Sequence, residues 1–102
     1  MKKLTVMVMC TCMIIAASSK ARAEVGASTY KQVCSSCHEA GISGAPILED
    51  ELEWSQRVAQ GADSLYASII NGKCKLLVQD FRPDLSDETI KAAVDFMVSQ
   101  SR

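Results

Sequence analysis

Apolar residues recur along this chain at helical spacing, and no stretch shows the alternation of β-branched side chains that marks a strand. An apolar run from Leu4 to Ala17 comes first. Behind it Gly26, Tyr30, Val33, Cys34 and Cys37 fall on one helical face. From Glu49 to Gln60 an acidic stretch predicts a second helix, with Leu52 and Val58 turned inward and Gly61 as its stop. Asp63 to Asn71 predicts a third, with Leu65, Tyr66, Ile69 and Ile70 apolar and Gly72 at its end. Ser86 is placed to cap a last helix, and Asp87 and Glu88 put negative charge in its first turn, where the helix dipole favours it. Ile90, Ala93, Val94, Met97 and Val98 form that helix's apolar stripe. The pattern predicts one all-α domain without repeats, linkers or low-complexity segments.

The first apolar run belongs to something else. Lys2 and Lys3 precede it, it is short for a membrane span, and Ala21-Arg22-Ala23 follows as a small-residue cleavage site. Residues 1–23 read as a secretory signal cut after Ala23, leaving residues 24–102 as the mature domain in the periplasm. The alternative is an uncleaved anchor. Met7-Val8-Met9 before Cys10 does not make a lipobox.

Removing the signal changes charge and cysteine count together. Of the 11 Lys and Arg, Lys2, Lys3, Lys20 and Arg22 leave, so seven face 12 acids and the net charge becomes about −5. A nucleic-acid binder would carry a basic stripe, and none is left. The balance favours a partner with a basic docking face. Cys34, Cys37 and Cys74 are the cysteines that remain. So short an exported chain ordinarily supplements its small core with disulfides, a metal or a cofactor.

Cys34, Cys37 and His38 sit within QVCSSCHEAG. A thioredoxin-like redox pair would lie near a βαβ pattern, and no strand is visible. A structural zinc needs four ligands, whereas Cys74 stands alone and His38 is the one histidine. A local disulfide would leave His38 without a role. C-x-x-C-H is also the attachment signature of c-type haem. There the two thiols bond the vinyl groups from neighbouring positions on one helical turn, and the histidine reaches the iron from the same side.

With those residues in view the sequence resembles the small class I cytochromes c, most closely the bacterial cytochrome c5-like group. The resemblance spans essentially all of the mature chain. It rests on Gly26 and Tyr30 before Cys34, on AGISGAP from Ala40 to Pro46, on WSQRVAQG from Trp54 to Gly61, on LYASIINGK, and on LSDETIKAAVDFM with Phe96. It implies four short helices wrapped around one covalent haem c, and an electron carrier rather than an enzyme. Cys34 and Cys37 would hold the thioethers and His38 the iron. The Pro46 carbonyl would orient the His38 ring, and Trp54 and Arg57 are the candidates beside the haem propionates. Gly26 would let the first and last helices approach, with Tyr30 and Phe96 filling the contact.

The sequence departs from that family in one loop. Where members read N-G-K-G-x-M-P-P, this chain reads Asn71-Gly72-Lys73-Cys74-Lys75-Leu76-Leu77-Val78. Leu76 therefore stands at the position of the second iron ligand, and leucine has no donor atom. Met97 lies on the last helix's core stripe. Cys74 is the candidate substitute, since haem iron accepts thiolate. An open or water-filled position, and Lys73 or Lys75, are the alternatives. The functional expectation is one-electron transfer to redox partner proteins with atypical, non-Met ligation. The alternative is a haem-based binder or sensor of NO or CO at an open site.

Overall fold

Helix-forming residues from position 19 onward build a continuous rod with one irregular turn. The computed structural model describes residues 19–102 except 73, 75–77 and 79. The proposed signal's apolar run, and Lys73, Lys75, Leu76 and Leu77 at the altered ligand loop, lie outside the described residues.

Helix α1 covers residues 19–29 and passes through Ala21-Arg22-Ala23 without a break. It continues as a π-helical turn, Tyr30–Cys34, and then as α2, Ser35–His38. The π turn closes through the Ser35 amide, which donates to the Tyr30 carbonyl five residues back. Such a turn adds a residue per winding and rephases the side chains that follow it. Neighbouring hydroxyls help satisfy its carbonyls: Ser35 Oγ donates to Lys31 O at 2.8 Å and Ser36 Oγ to Val33 O at 3.0 Å.

Helix α3, Glu51–Val58, begins at Asp50, whose carboxylate accepts from the Glu53 amide at 3.3 Å. Its inward residue is Trp54, only 4% exposed, whereas Leu52 is 73% exposed. The expectation that Leu52 faces inward is thus corrected. Trp54 and Val58 are four positions apart and share a face, while Leu52 lies two positions from Trp54, on the opposite side. The indole, having more apolar area to bury, sets the orientation.

Helix α4, Ala62–Ile70, follows Gly61 (φ 95°), and Leu65, Tyr66, Ile69 and Ile70 are its half-buried face. Helix α5, Asp87–Gln100, is capped by Ser86, whose hydroxyl accepts from Thr89 N at 3.2 Å. Ile90, Ala93, Val94, Met97 and Val98 are all buried, as the stripe requires. The described residues contain no strand, and the fold is all-α.

The crossing of α1 and α5 organises the core. A β-carbon built on Gly26 would overlap the Ala92 carbonyl and lie 3.2 Å from Phe96 Cβ. Only a residue without a side chain permits that approach. One turn on, Tyr30 meets Phe96 with ring centroids 5.5 Å apart. Tyr30, Trp54, Val94, Met97 and Val98 form the buried cluster, with Val58, Leu65 and Tyr66 packed on it.

Candidate functional site

Cys34 closes the π turn, and Cys37 and His38 occupy α2. Both thiols are unbridged and half-buried. The chain then reverses through a loop containing left-handed residues at Gly41, Ser43, Gly44 and Glu49. That reversal brings the Pro46 carbonyl to 2.7 Å from His38 Nδ1. A carbonyl only accepts, so Nδ1 carries the proton and the imidazole lone pair resides on Nε2. The Leu48 amide also donates to the His38 carbonyl, at 2.8 Å. His38 is therefore held at both its ring and its backbone by one loop.

Trp54 braces that loop. Its indole N–H donates to Ile47 O at 2.9 Å, and its ring centroid stands 5.9 Å from that of His38. Arg57 is turned to its own helix instead. Its guanidinium donates to the Glu53 carbonyl at 2.8 Å and pairs with the Glu53 carboxylate at 3.1 Å. Of the sequence-derived candidates, Pro46 and Trp54 thus meet His38, Cys34 packs on the cluster that holds Trp54, and Cys37 precedes His38 on α2. Cys74 is half-buried, with its amide donating to Ser68 O at 3.2 Å and its carbonyl accepting from Val78 N at 3.0 Å. Among the described residues no three His, Cys, Asp or Glu side chains converge as a bare-metal site.

A crevice beside Cys34 is lined by apolar side chains, including Val33, Ile69, Val78, Val94 and Met97. Burial, and then the neighbouring Cys37, push the Cys34 thiol up to about 11, so it is a neutral thiol near pH 7. The Tyr30 hydroxyl is buried with no hydrogen-bond partner among the described residues. Burial raises its phenol above the ordinary tyrosine value, with the charges of Glu39, Cys34 and Glu49 adding to the shift. Paired thiols on one winding and an imidazole with its lone pair at Nε2, beside apolar side chains, have the chemistry to hold a group bonded through sulfur and ligated by nitrogen.

One polar network joins distant parts of the sequence. Tyr66 OH donates to Asp95 Oδ1, and Arg22 pairs with Asp95 Oδ2. Its members come from α1, α4 and α5, and no local signal in the sequence joins them.

Residues 21–97 match the family described as cytochrome c oxidase, cbb3-type, subunit III. Cytochrome c-555 of Chlorobaculum tepidum is 34% identical over 84 residues, covering 78% of each chain. Cytochrome c5 of Ectopseudomonas mendocina is 32% identical over 66 residues, covering 63% of this chain and 76% of its own. The fold is also similar to that of a cytochrome c solved in an electron-transfer complex with nitrite reductase. That match has a TM-score of 0.68 and 33% identity, and covers 76% of this chain and 95% of the other.

Proposed function

The chain belongs to that family of class I c-type cytochromes, and from this membership we propose that it is a periplasmic one-electron carrier whose iron lacks a methionine ligand. It carries one covalent haem c, and its class of work is electron transfer. When bound, the haem would supply the chemistry, the exchange of one electron, and the protein its binding and orientation. In the proposal Cys34 and Cys37 form the thioethers and His38 Nε2 binds the iron.

The hydrogen bond from His38 Nδ1 to Pro46 O carries this reading. It fixes the tautomer, holds the ring against rotation and makes Nε2 a better donor. Trp54, through Ile47, keeps the segment carrying that carbonyl in place. Arg57 joins the site near the propionates only by exchanging its contacts with Glu53, which cost little to lose at an exposed position.

Export rests on the charged start, the apolar run and the cleavage site at Ala23. Cutting there costs the fold little. The Arg22–Asp95 pair it removes is 47% and 39% exposed, and pairs so exposed contribute at most about 1 kcal/mol. Asp95 keeps Tyr66. No helix among the described residues is long and apolar enough to cross a membrane.

At the sixth position we propose Cys74 thiolate, the one sulfur donor in the loop where the family places methionine. Methionine ligation raises a haem potential, so the potential here is low. A second reading follows from Leu76 in the ligand position: with no side chain bound, the iron would be open to NO or CO.

Mass spectrometry and acid–acetone extraction of the purified protein test the attachment. The mass should equal residues 24–102 plus one haem, the haem should resist extraction, and Cys37→Ala should yield no stable holoprotein. Extractable haem, or an apoprotein mass with a Cys34–Cys37 disulfide, would overturn it.

A further inference from the structure

The proximal loop presents an apolar surface to solvent. Ile42 is 52%, Ile47 42% and Leu52 73% exposed. These side chains belong to one stretch that folds back on itself: the Ile47 carbonyl is bound by Trp54 of α3, and Ile47 lies beside Gly41, where an added β-carbon would press on it at 3.2 Å. Scattered single apolar residues need no explanation, but three on one loop and its following helix do.

The charge around them is one-sided. Between residues 39 and 56 the chain has Glu39, Glu49, Asp50, Glu51 and Glu53 and no Lys or Arg. Those five acids equal the whole negative excess of residues 24–102. Glu39, Glu49 and Glu51 make no ion pair among the described residues, whereas Glu53 is paired with Arg57. Exposed apolar side chains interspersed along one segment with carboxylates that make no ion pair among the described residues have the composition of a transient protein interface. The sign of those carboxylates selects a basic partner and repels a second copy of this chain.

We propose that the redox partner docks on this face, with an apolar centre set over Ile42, Ile47 and Leu52 and a rim of Lys and Arg against Glu39, Glu49 and Glu51. The inference rests on the electron-transfer reading and assigns it a surface. The surface has a short covalent and hydrogen-bonded connection to the proposed iron ligand. Ile47 adjoins Pro46, whose carbonyl holds His38 Nδ1, and the Ile47 carbonyl holds the Trp54 indole beside the same ring.

The test is stopped-flow oxidation of the reduced holoprotein by a lysine-rich cytochrome c, and separately by ferricyanide, over a range of salt. Glu39→Lys/Glu51→Lys is compared with Glu24→Lys/Glu88→Lys, which changes net charge equally on α1 and α5. The face variant should slow reaction with the basic protein roughly tenfold at low salt, and the control about twofold at most. Ferricyanide, an anion, should react faster with the face variant. Leu52→Ser, at an exposed position, should slow the protein reaction at high salt, where charge is screened, and leave the spectrum and potential unchanged. Equal slowing by both charge variants would overturn the docking face while leaving electron transfer standing. A protein that holds no haem, or does not reduce, would instead refute the functional reading itself.

Discussion

Replacing Gly26 by alanine sets two known effects against each other. In an exposed helix interior Gly→Ala stabilises by about 1 kcal/mol, because alanine loses less backbone entropy on folding. At Gly26 the new β-carbon would overlap the Ala92 carbonyl oxygen, lie 2.9 Å from its carbon, and crowd Phe96 Cβ at 3.2 Å. The first two atoms are backbone and cannot rotate aside. Helix α1 must lift from α5, loosening the Tyr30–Phe96 contact one turn away. Gly26→Val adds two further methyl groups to the same crossing, and overpacking of this kind costs roughly 1–3 kcal/mol. In a domain of this size each kcal/mol moves the melting temperature by about 4–8 °C. Thermal melts of purified holoproteins, followed at 222 nm and at the Soret band, should rank wild type above Gly26→Ala above Gly26→Val. The sign for alanine is decisive: a melting temperature at or above wild type would mean that propensity wins and the helices do not meet as described.

Other perturbations address the site. If Cys74 binds iron, the ferric protein should be low-spin with a rhombic thiolate-type resonance, and Cys74→Ala should make it high-spin, open to CO and higher in potential; a wild type already high-spin and CO-binding, unaffected by the substitution, would favour the open-site reading. Trp54→Phe keeps an aromatic ring but deletes the donor to Ile47 O; it should cost about 1 kcal/mol in denaturant unfolding, and no loss would mean the indole does not brace the loop. Alkaline stability should depend on Tyr66, whose phenol is raised first by donating to Asp95, then by burial and by the Asp95 charge. A raised folded value means the stabilisation is complete below the unfolded tyrosine value of about 10 and is lost as pH climbs through the higher folded value. Tyr66→Phe should therefore flatten the fall in stability above pH 10, although Tyr30, raised by burial, still contributes; an unchanged slope would contradict the Tyr66–Asp95 bond.

Features signalled within a few residues were legible in the sequence. Ser86 caps α5 because its hydroxyl, followed by two acids, faces the first free amides. The stripe from Ile90 to Val98 is buried because its spacing leaves it one face. Leu52 departs from the expected inward placement for an equally local reason: Trp54, two positions on, has more apolar surface to bury and sets the helix's orientation. The π turn at Tyr30–Cys34 was not legible at all. Its residues fit an ordinary helix, and no local signal among them calls for the wider winding. The Arg22–Asp95–Tyr66 network is set by tertiary approach.

The same distinction bears on the altered ligand loop. Donor side chains such as His38 and Trp54 can be seen in a sequence, whereas the backbone carbonyls of Pro46 and Ile47 that receive them become meaningful only once the loop has folded. Among the described residues, the contacts that orient His38 lie between residues 38 and 54: the Pro46 carbonyl, the Leu48 amide and the Trp54 ring. The crossing at Gly26 and the aromatic pair above it depend only on α1, the π turn and α5. None of these contacts uses a residue between 71 and 79. Among the described residues the contacts that orient His38 thus draw on nothing in that loop, so a sequence reading Leu76 instead of methionine, with both following prolines gone, is expected to keep the ring and its carbonyl partner in place. On the proposed ligation, such a change would alter the second iron ligand, and with it the potential, rather than the capacity to bind haem.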